Sequence, residues 1–385
     1  MIAPAQSLVI VGSGLAAWTV VRELRKLDAH CPITLICRDS GDFYSKPMLS
    51  NALASGKTAA QLVGTPCAAM AQTLQVNVMA NTEVTSIDPS SATVHTLAGV
   101  VAYSRLVLAL GADPVRLPLQ GDAAERVLSV NDLQDYARFR KQLLDARRVA
   151  VIGAGLIGCE FANDLVLAGH EVDVIDPGTQ VLGRLLPPAA GAAVRDALVA
   201  AGVRFHFGTS VQAVDADGAG LRLSLADGQS LHSDLVLSAV GLRPRIALAQ
   251  AAGLQVARGI VVNRQLQTSA PQIYALGDVA EVDGQWLPFV MPLMQAARTL
   301  AAHLAGQPAQ LRYPAMPVVV KTPAAPVVVA PPPPGLVGQW HTVPCDNGLE
   351  AQWLDAQGTL QGFALVGAAT ARKSALQKSL SPALV

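Results

Sequence analysis

Two short glycine-rich turns carry the residue pattern with the clearest chemistry in this chain. One is Gly12-Ser13-Gly14-Leu15-Ala16-Ala17, after the apolar run LVIV; the other is Gly153-Ala154-Gly155-Leu156-Ile157-Gly158, after VAVI. Glycines at this spacing let the N–H groups that open a helix close on a pyrophosphate, where a side chain would hold the anion away. One such turn also arises from packing alone. Two copies, each between an apolar strand and a helix beginning on small residues, point to two bound dinucleotides.

The strand after each turn should end on a group for the ribose. Asp176 closes the run EVDVID at about 20 residues beyond Gly153, the spacing at which a carboxylate takes the adenosine hydroxyls. That charge repels a 2′-phosphate, and Pro177-Gly178-Thr179-Gln180 supplies no arginine, so NADH is favoured over NADPH. The first unit departs from the pattern with Cys37-Arg38-Asp39. Here Arg38 on a phosphate or adenine, Asp39 on the ribose, and an ordinary solvated strand end all remain open.

Glu160 stands within a helix face that is otherwise apolar, where an unpaired carboxylate is costly, so it needs a cation unless it turns to water. Lys321, inside a valine run, is the first candidate. Lys46 is the second; it lies in the loop Phe43 to Ser50 and is expected to be extended because Pro47 follows it. Gly56-Lys57-Thr58 imitates the end of a phosphate loop, but Asn51 stands where that motif needs its first glycine.

The five cysteines and seven histidines are scattered without metal-ligand or C-x-x-C spacing, so no metal, zinc or iron–sulfur site is proposed. Charged residues are 15% of the 385-residue chain, net charge is zero, and hydrophobic residues are 51%. This composition excludes a disordered chain, and no basic stripe with interleaved aromatics suggests nucleic acid. No apolar run spans a bilayer, and Met1-Ile-Ala-Pro4 lacks a leader's pattern, so a cytoplasmic protein is expected.

The elements around these residues predict an α/β fold: two Rossmann-like dinucleotide-binding domains and a small α+β C-terminal domain. Strand Leu8 to Val11 feeds a helix from about Leu15 to Leu27, with Ile33 to Cys37 as the next strand. Leu106 to Pro114 and Leu235 to Pro244 read as matching closing strands, each reaching a glycine, Gly111 or Gly241, where backbone can approach a ligand. Asn131 to Asp145 is an amphipathic helix. Ile273 to Asp278 is a strand stopping at Gly-Asp, and a helix runs from Met291-Pro292 to about Leu304. From Tyr313, a Pro- and Val-rich segment predicts strands confined to edges or bulged, then a hairpin over Ala351 to Val366 and a short helix holding Arg372, Lys373 and Lys378. The expected boundaries are 1–114 and 244–313 for the first unit, 115–243 for the second, and 314–385 for the terminal domain.

GAGLIGCE at 153–160, the tandem turns, and the segments LALGADP, SAVGLRP and IYALGDVA resemble the two-dinucleotide flavoprotein reductases of the glutathione reductase superfamily. YSKPMLS at 44–50, ANDL at 162–165, VMPLM at 290–294 and VVVKTPAAPVVV at 318–329 extend this to a resemblance with bacterial rubredoxin reductases over essentially the whole chain. The resemblance implies FAD in the first site, NADH in the second, and electrons leaving singly for rubredoxin to supply an oxygenase, such as an alkane hydroxylase, or an oxygen- or peroxide-reducing pathway. It implies that Gly12, Gly14, Leu15, Ala16 and Ala17 line the FAD pyrophosphate, with Arg38 and Gly111 nearby, and that Val84 gives adenine a backbone contact. By the same resemblance Asp278 holds the ribitol or pyrophosphate side, Val290 meets the ring's edge, and Lys46 touches the flavin. The relatives carry a lysine shortly after the Leu-Ser of this loop, where this chain departs with Asn51 after Leu49-Ser50; Lys321 is expected in its place as the flavin-edge lysine, forming the catalytic pair with Glu160. Gly153, Gly155, Gly158, Asp176 and Gly241 fall to NAD.

Disulfide reductases of that superfamily use a C-x4-C pair beside the flavin, and the peroxidase-like branch one cysteine; neither occurs around Tyr44 to Leu53. Electrons must therefore leave the flavin directly for an acceptor that takes them one at a time. A reductase of a 2Fe–2S ferredoxin, an NADH oxidase and a non-catalytic FAD-binding module are the competing readings, and a monomer is favoured.

Overall fold

The computed structural model describes residues 7–384; the leader reading of Met1 to Pro4 lies outside them. The first unit is a five-stranded parallel sheet in the order Ile273–Ala275, Arg105–Leu108, Leu8–Val11, Ile33–Ile36, Asn77–Met79. All four residues of Leu8–Val11 are buried. A strand covered on both faces has no use for polar alternation, which is why LVIV is apolar throughout. The Leu15–Leu27 helix packs on it with Trp18 fully buried, beside the returning Val290–Leu304 helix.

The second unit repeats the design with four parallel strands, in the order Val203–Phe207, Glu171–Asp176, Arg148–Ile152, Leu235–Ser238. Each unit carries a three-stranded antiparallel ribbon, Val84–Asp88 with Thr93–Thr96 and Gly99–Ala102, and Val211–Asp217 with Gly220–Leu225 and Ser230–Ser233. Each long closing strand expected from sequence is broken at its glycine: Arg105–Leu108 resumes as Ala112–Pro114, and Leu235–Ser238 as Leu242–Pro244. The two resumed pieces pair antiparallel, Ala112 opposite Pro244, and so join the units.

Four local expectations are corrected. The second strand ends at Ile36, one residue early. Lys46 is not extended; it opens a 3-10 turn, Lys46–Asn51, because Pro47 suits the second place of a helical turn and the Met48 N–H to Ser45 carbonyl bond (2.9 Å) closes it. The terminal sheet has five strands, in the order Val318–Val320, Val327–Ala330, Leu360–Gly367, Gly348–Asp355, Gly338–Cys345. Val327–Ala330 lies inside it, since Pro326 and the prolines from 331 flank the strand and leave its N–H groups free to pair; Gly338–Cys345 adds an edge beside the expected hairpin. Arg372 ends the 3-10 turn Ala368–Arg372 and precedes the Lys373–Ser379 helix.

In the second sheet, buried Asp173 accepts a two-pronged bond from Arg204 (2.9 and 2.7 Å) and one from His206 (2.9 Å). Burial pushes its carboxyl up, but these partners outweigh burial and hold it below the usual carboxylate range. A depressed folded pKa adds stability above the unfolded value and loses it as pH falls through the folded one. Asp173→Asn is therefore expected to cost about 1.5–3 kcal/mol near neutral pH. In acid unfolding followed by circular dichroism the gap to wild type should close below the ordinary carboxyl value of 3.8; a gap unchanged in acid would refute the assignment.

Candidate functional site

Both glycine turns owe their residues to identifiable contacts. Gly12 has φ +119°, and a Cβ there would overlap the Ala109 carbonyl oxygen. Gly153 has φ +108°, and its Cβ would lie 2.8 Å from the Ala239 oxygen; at Gly158 a Cβ would overlap the Gly153 oxygen. These three glycines let helix, strand and turn approach. Gly14 and Gly155 differ: both are extended, and a Cβ on either meets nothing within 4 Å. Each is the N-cap of its helix with no side-chain cap, so the first-turn N–H groups look into open space. That cradle fits the phosphates of a dinucleotide, because uncapped N–H groups and the helix dipole both favour an anion.

The acids at the strand ends brace these turns. Asp39 accepts the Ser13 hydroxyl at 2.6 Å and the Gly41 N–H at 3.0 Å. Asp176 accepts the Ala154 N–H at 2.7 Å and the Gly178 N–H at 2.7 Å. Each Asp176 oxygen keeps capacity for a ribose hydroxyl. Arg38 is half-exposed, 3.7 Å from Asp113 on the joining ribbon. The chain entering Val84 is tied to the same corner, Asn81 N–H to the Asp39 carbonyl and Thr82 N–H to the Cys37 carbonyl, both 2.8 Å.

Around the other end of the first cradle stand Gly277 and Asp278 in a 3-10 turn, held by the Trp286 indole N–H on the Asp278 carbonyl (2.8 Å). A Cβ on Gly277 would come 3.1 Å from the Ala16 Cβ, so the Leu15, Ala16 and Ala17 helix start lies directly beside this turn. Burial pushes the Asp278 carboxyl up, opposed by the charges of Lys46 and Arg245. Burial pulls the Lys46 ammonium down, opposed above all by Asp278. Val290, 40% exposed, opens its helix, also without a side-chain cap. Gly111 (φ +72°) and Gly241 (φ +115°) mark the breaks in the closing strands.

Glu160 is fully buried, and Lys321 reaches it twice: the ammonium is 2.6 Å from Oε2 and the backbone N–H donates to Oε1 at 2.8 Å. The Ser50 hydroxyl donates to Oε2 at 2.5 Å. The same ammonium donates to the Pro47 carbonyl at 2.7 Å and Ser50 Oγ at 3.3 Å, while Asn51 Nδ2 donates to the Lys321 carbonyl at 2.7 Å. Glu160 thus joins all three parts of the chain. Lys46, the second candidate partner, is not the cation on Glu160; the charge that most favours its ammonium is that of Asp278. Neighbouring Cys159 is buried, its thiol pushed up to about 12 mainly by burial, which suppresses the reactive thiolate.

Sequence reasoning did not reach Ser50, Asn51 or Arg245. Arg245 donates to the Leu110 carbonyl (2.8 Å) and to Asp113 (2.7 Å), pinning the Gly111 break just after the Leu242–Pro244 piece. In the pairing of the matched segments LGADP and VGLRPR, Asp113 stands opposite Arg243, and Arg245, two residues on, reaches the same carboxylate.

The chain matches the family described as pyridine nucleotide-disulphide oxidoreductase over residues 6–301 and a rubredoxin binding C-terminal domain over residues 310–380. It is 47% identical over 379 residues to a rubredoxin-NAD(+) reductase of Alcanivorax borkumensis, covering 98% of this chain and 99% of the relative. It is 43% identical over 389 residues to the protein of that name from Acinetobacter baylyi, covering 98% of both. Among solved structures, the ferredoxin reductase for the CYP199A2 system from Rhodopseudomonas palustris superposes with a TM-score of 0.89 at 28% identity, over 98% of this chain and 95% of that one.

Proposed function

The chain belongs to the pyridine nucleotide-disulphide oxidoreductase family, and from that premise we propose that it is an FAD-dependent NADH:rubredoxin oxidoreductase. The observation that carries the reading is the terminal sheet: residues 310–380 match a rubredoxin binding domain, and that segment supplies Lys321 to Glu160. FAD, when bound, accepts two electrons as hydride and releases them one at a time. The chain's own residues bind and orient. The N–H groups after Gly14 hold the FAD phosphates, and those after Gly155 hold the phosphates of NADH. Asp278 takes a hydroxyl, with Lys46 balancing its charge; Arg38, Val84 and Gly111 line the adenosine and pyrophosphate side, and Val290 the ring's edge. Glu160 fixes Lys321 so that its ammonium stands at the edge of the ring. Asp176 selects NADH, with Gly153, Gly158 and Gly241 shaping that site.

Among the described residues no helix is long and apolar enough to cross a membrane, and all five cysteines are free. Those thiols suit the reducing, NADH-containing cytoplasm.

A second reading, delivery to a 2Fe–2S ferredoxin, is favoured by the likeness to the ferredoxin reductase fold. Turnover with NADH across purified acceptors separates the two. Specificity for rubredoxin is expected to exceed that for a ferredoxin by about tenfold or more, since tenfold needs only ~1.4 kcal/mol of differential binding. The reverse order would replace rubredoxin with ferredoxin as the acceptor.

A further inference from the structure

The Leu156–Leu167 helix carries more buried polarity than Glu160 alone. One turn further on, Asn163 and Asp164 are 0% and 4% exposed and continue the same stripe. Asn163 Oδ1 accepts the Ala324 N–H at 3.0 Å, three residues beyond Lys321. Asp164 accepts the Leu53 N–H at 2.8 Å on one oxygen and the Ala54 N–H at 3.1 Å on the other. The helix therefore grips both segments that build the Lys321 environment, the 50–54 loop and the 321–324 turn.

This arrangement is expensive if stability is all it provides. The Asn163 amide nitrogen is buried with no hydrogen-bond partner among the described residues, and a donor left so costs about 1–3 kcal/mol. Asp164 is a second buried carboxylate on this helix, and the Lys321 ammonium already pairs with Glu160. Burial pushes its carboxyl up, opposed by its two backbone donors and then by the charges of Lys321 and Arg140. Both oxygens accept N–H bonds, as an ionised carboxylate does.

We propose that Asp164 is a positioning residue for the Glu160–Lys321 pair. It anchors the 50–54 loop so that Ser50 and Asn51 hold the lysine's head and carbonyl, and it places a second buried negative charge one helical turn from Glu160. The proposal rests on the reading above that Lys321 stands at the ring's edge. The linkage is direct: Leu53 and Ala54 are fixed by Asp164, and within three residues Ser50 and Asn51 bond Glu160 and Lys321. A loosened loop displaces the ammonium, whereas loss of the charge makes electron uptake by the ring easier.

Asp164→Asn and Ser50→Ala separate the two effects. The asparagine keeps one acceptor and the side-chain shape but removes the charge and one anchor; Ser50→Ala removes the loop hydroxyl that meets Glu160 and the Lys321 ammonium, and changes no charge. FAD-loaded proteins are compared in anaerobic stopped flow with NADH and in equilibrium titration of the flavin midpoint potential. Asp164→Asn is expected to lower the limiting reduction rate by about tenfold, as small misplacements near a reacting centre do, with NADH affinity within about twofold of wild type. Its midpoint potential should move positive. Ser50→Ala should lower the rate and leave the potential where it was. A wild-type rate and an unmoved potential in Asp164→Asn would reduce Asp164 to a structural residue, whatever the melting temperature did. A slowed Asp164→Asn with an unmoved potential would overturn the charge effect. Should Asp164→Asn fail to fold, a wild-type rate in Ser50→Ala overturns the anchoring. Failure of NADH to reduce the wild-type flavin would instead overturn the underlying reading.

Discussion

A Gly14→Ala protein is expected to fold normally and to purify almost colourless. At Gly14 the backbone is extended (φ −70°, ψ −177°), a conformation alanine adopts freely, and the new methyl would meet no protein atom within 4 Å. The chain alone thus gives no reason for glycine there. The reason is the phosphate: a Cβ occupies the space in front of the uncapped first-turn N–H groups. Loss of two charge-assisted bonds of ~1.5 kcal/mol each weakens FAD binding by about 100-fold or more. Gly12→Ala is the contrast. Its Cβ overlaps the Ala109 carbonyl at φ +119°, so the turn itself must move and folding should suffer. Gly155→Ala should keep FAD and lose affinity for NADH by a similar factor. Flavin absorbance per protein, thermal melting and NADH titration read all three. A yellow, fully loaded Gly14→Ala protein would remove the first turn from the FAD site.

Glu160→Gln is expected to lower the limiting rate of flavin reduction by about 100-fold with little change in FAD content. The amide has nearly the shape of the carboxylate but carries no charge, and Lys321, whose side chain is 32% exposed, loses its counter-ion. Breaking a buried pair costs about 3–5 kcal/mol, and partial exposure brings this to the lower end. If the loss falls on the reacting arrangement, ~3 kcal/mol is about 100-fold in rate. The amide keeps one acceptor oxygen, so the Ser50 hydroxyl, the Lys321 ammonium and the Lys321 N–H can no longer all be accepted. Lys321→Ala should also slow reduction, and should cost more stability because it strands a fully buried carboxylate. Stopped-flow traces at saturating NADH measure both; a wild-type rate in Glu160→Gln would exclude the pair from the reaction.

What the sequence discloses depends on whether a constraint is local. The glycine turns are legible because strand, turn, helix start and strand-end acid lie within one continuous stretch, and the contacts of Gly12, Gly153 and Gly158 explain each glycine. The need for a cation opposite Glu160 is also local, since desolvation penalises the charge wherever the chain goes. Which cation answers is a long-range matter: the Glu160 to Lys321 contact closes 161 residues of chain. Asp164 and Ser50 were hidden for the same reason, because their donors and acceptors are 111 and 110 residues away. The pairing of Ala112–Pro114 with Leu242–Pro244 depends on how the two units face each other. Lys46 was misjudged because the proline rule describes an average, and a helical first turn overrides it. The edge strand Gly338–Cys345 is obscured by its glycine and proline, residues that disfavour strands until a hairpin partner holds them.

Anaerobic titration of the FAD-loaded protein with NADH, followed by oxidised rubredoxin, tests the central claim most directly. One NADH is expected to bleach each flavin, and two rubredoxins are expected to restore the yellow colour, with or without prior alkylation of accessible thiols. A flavin that NADH leaves oxidised, or a reduced flavin that rubredoxin cannot reoxidise, would contradict it.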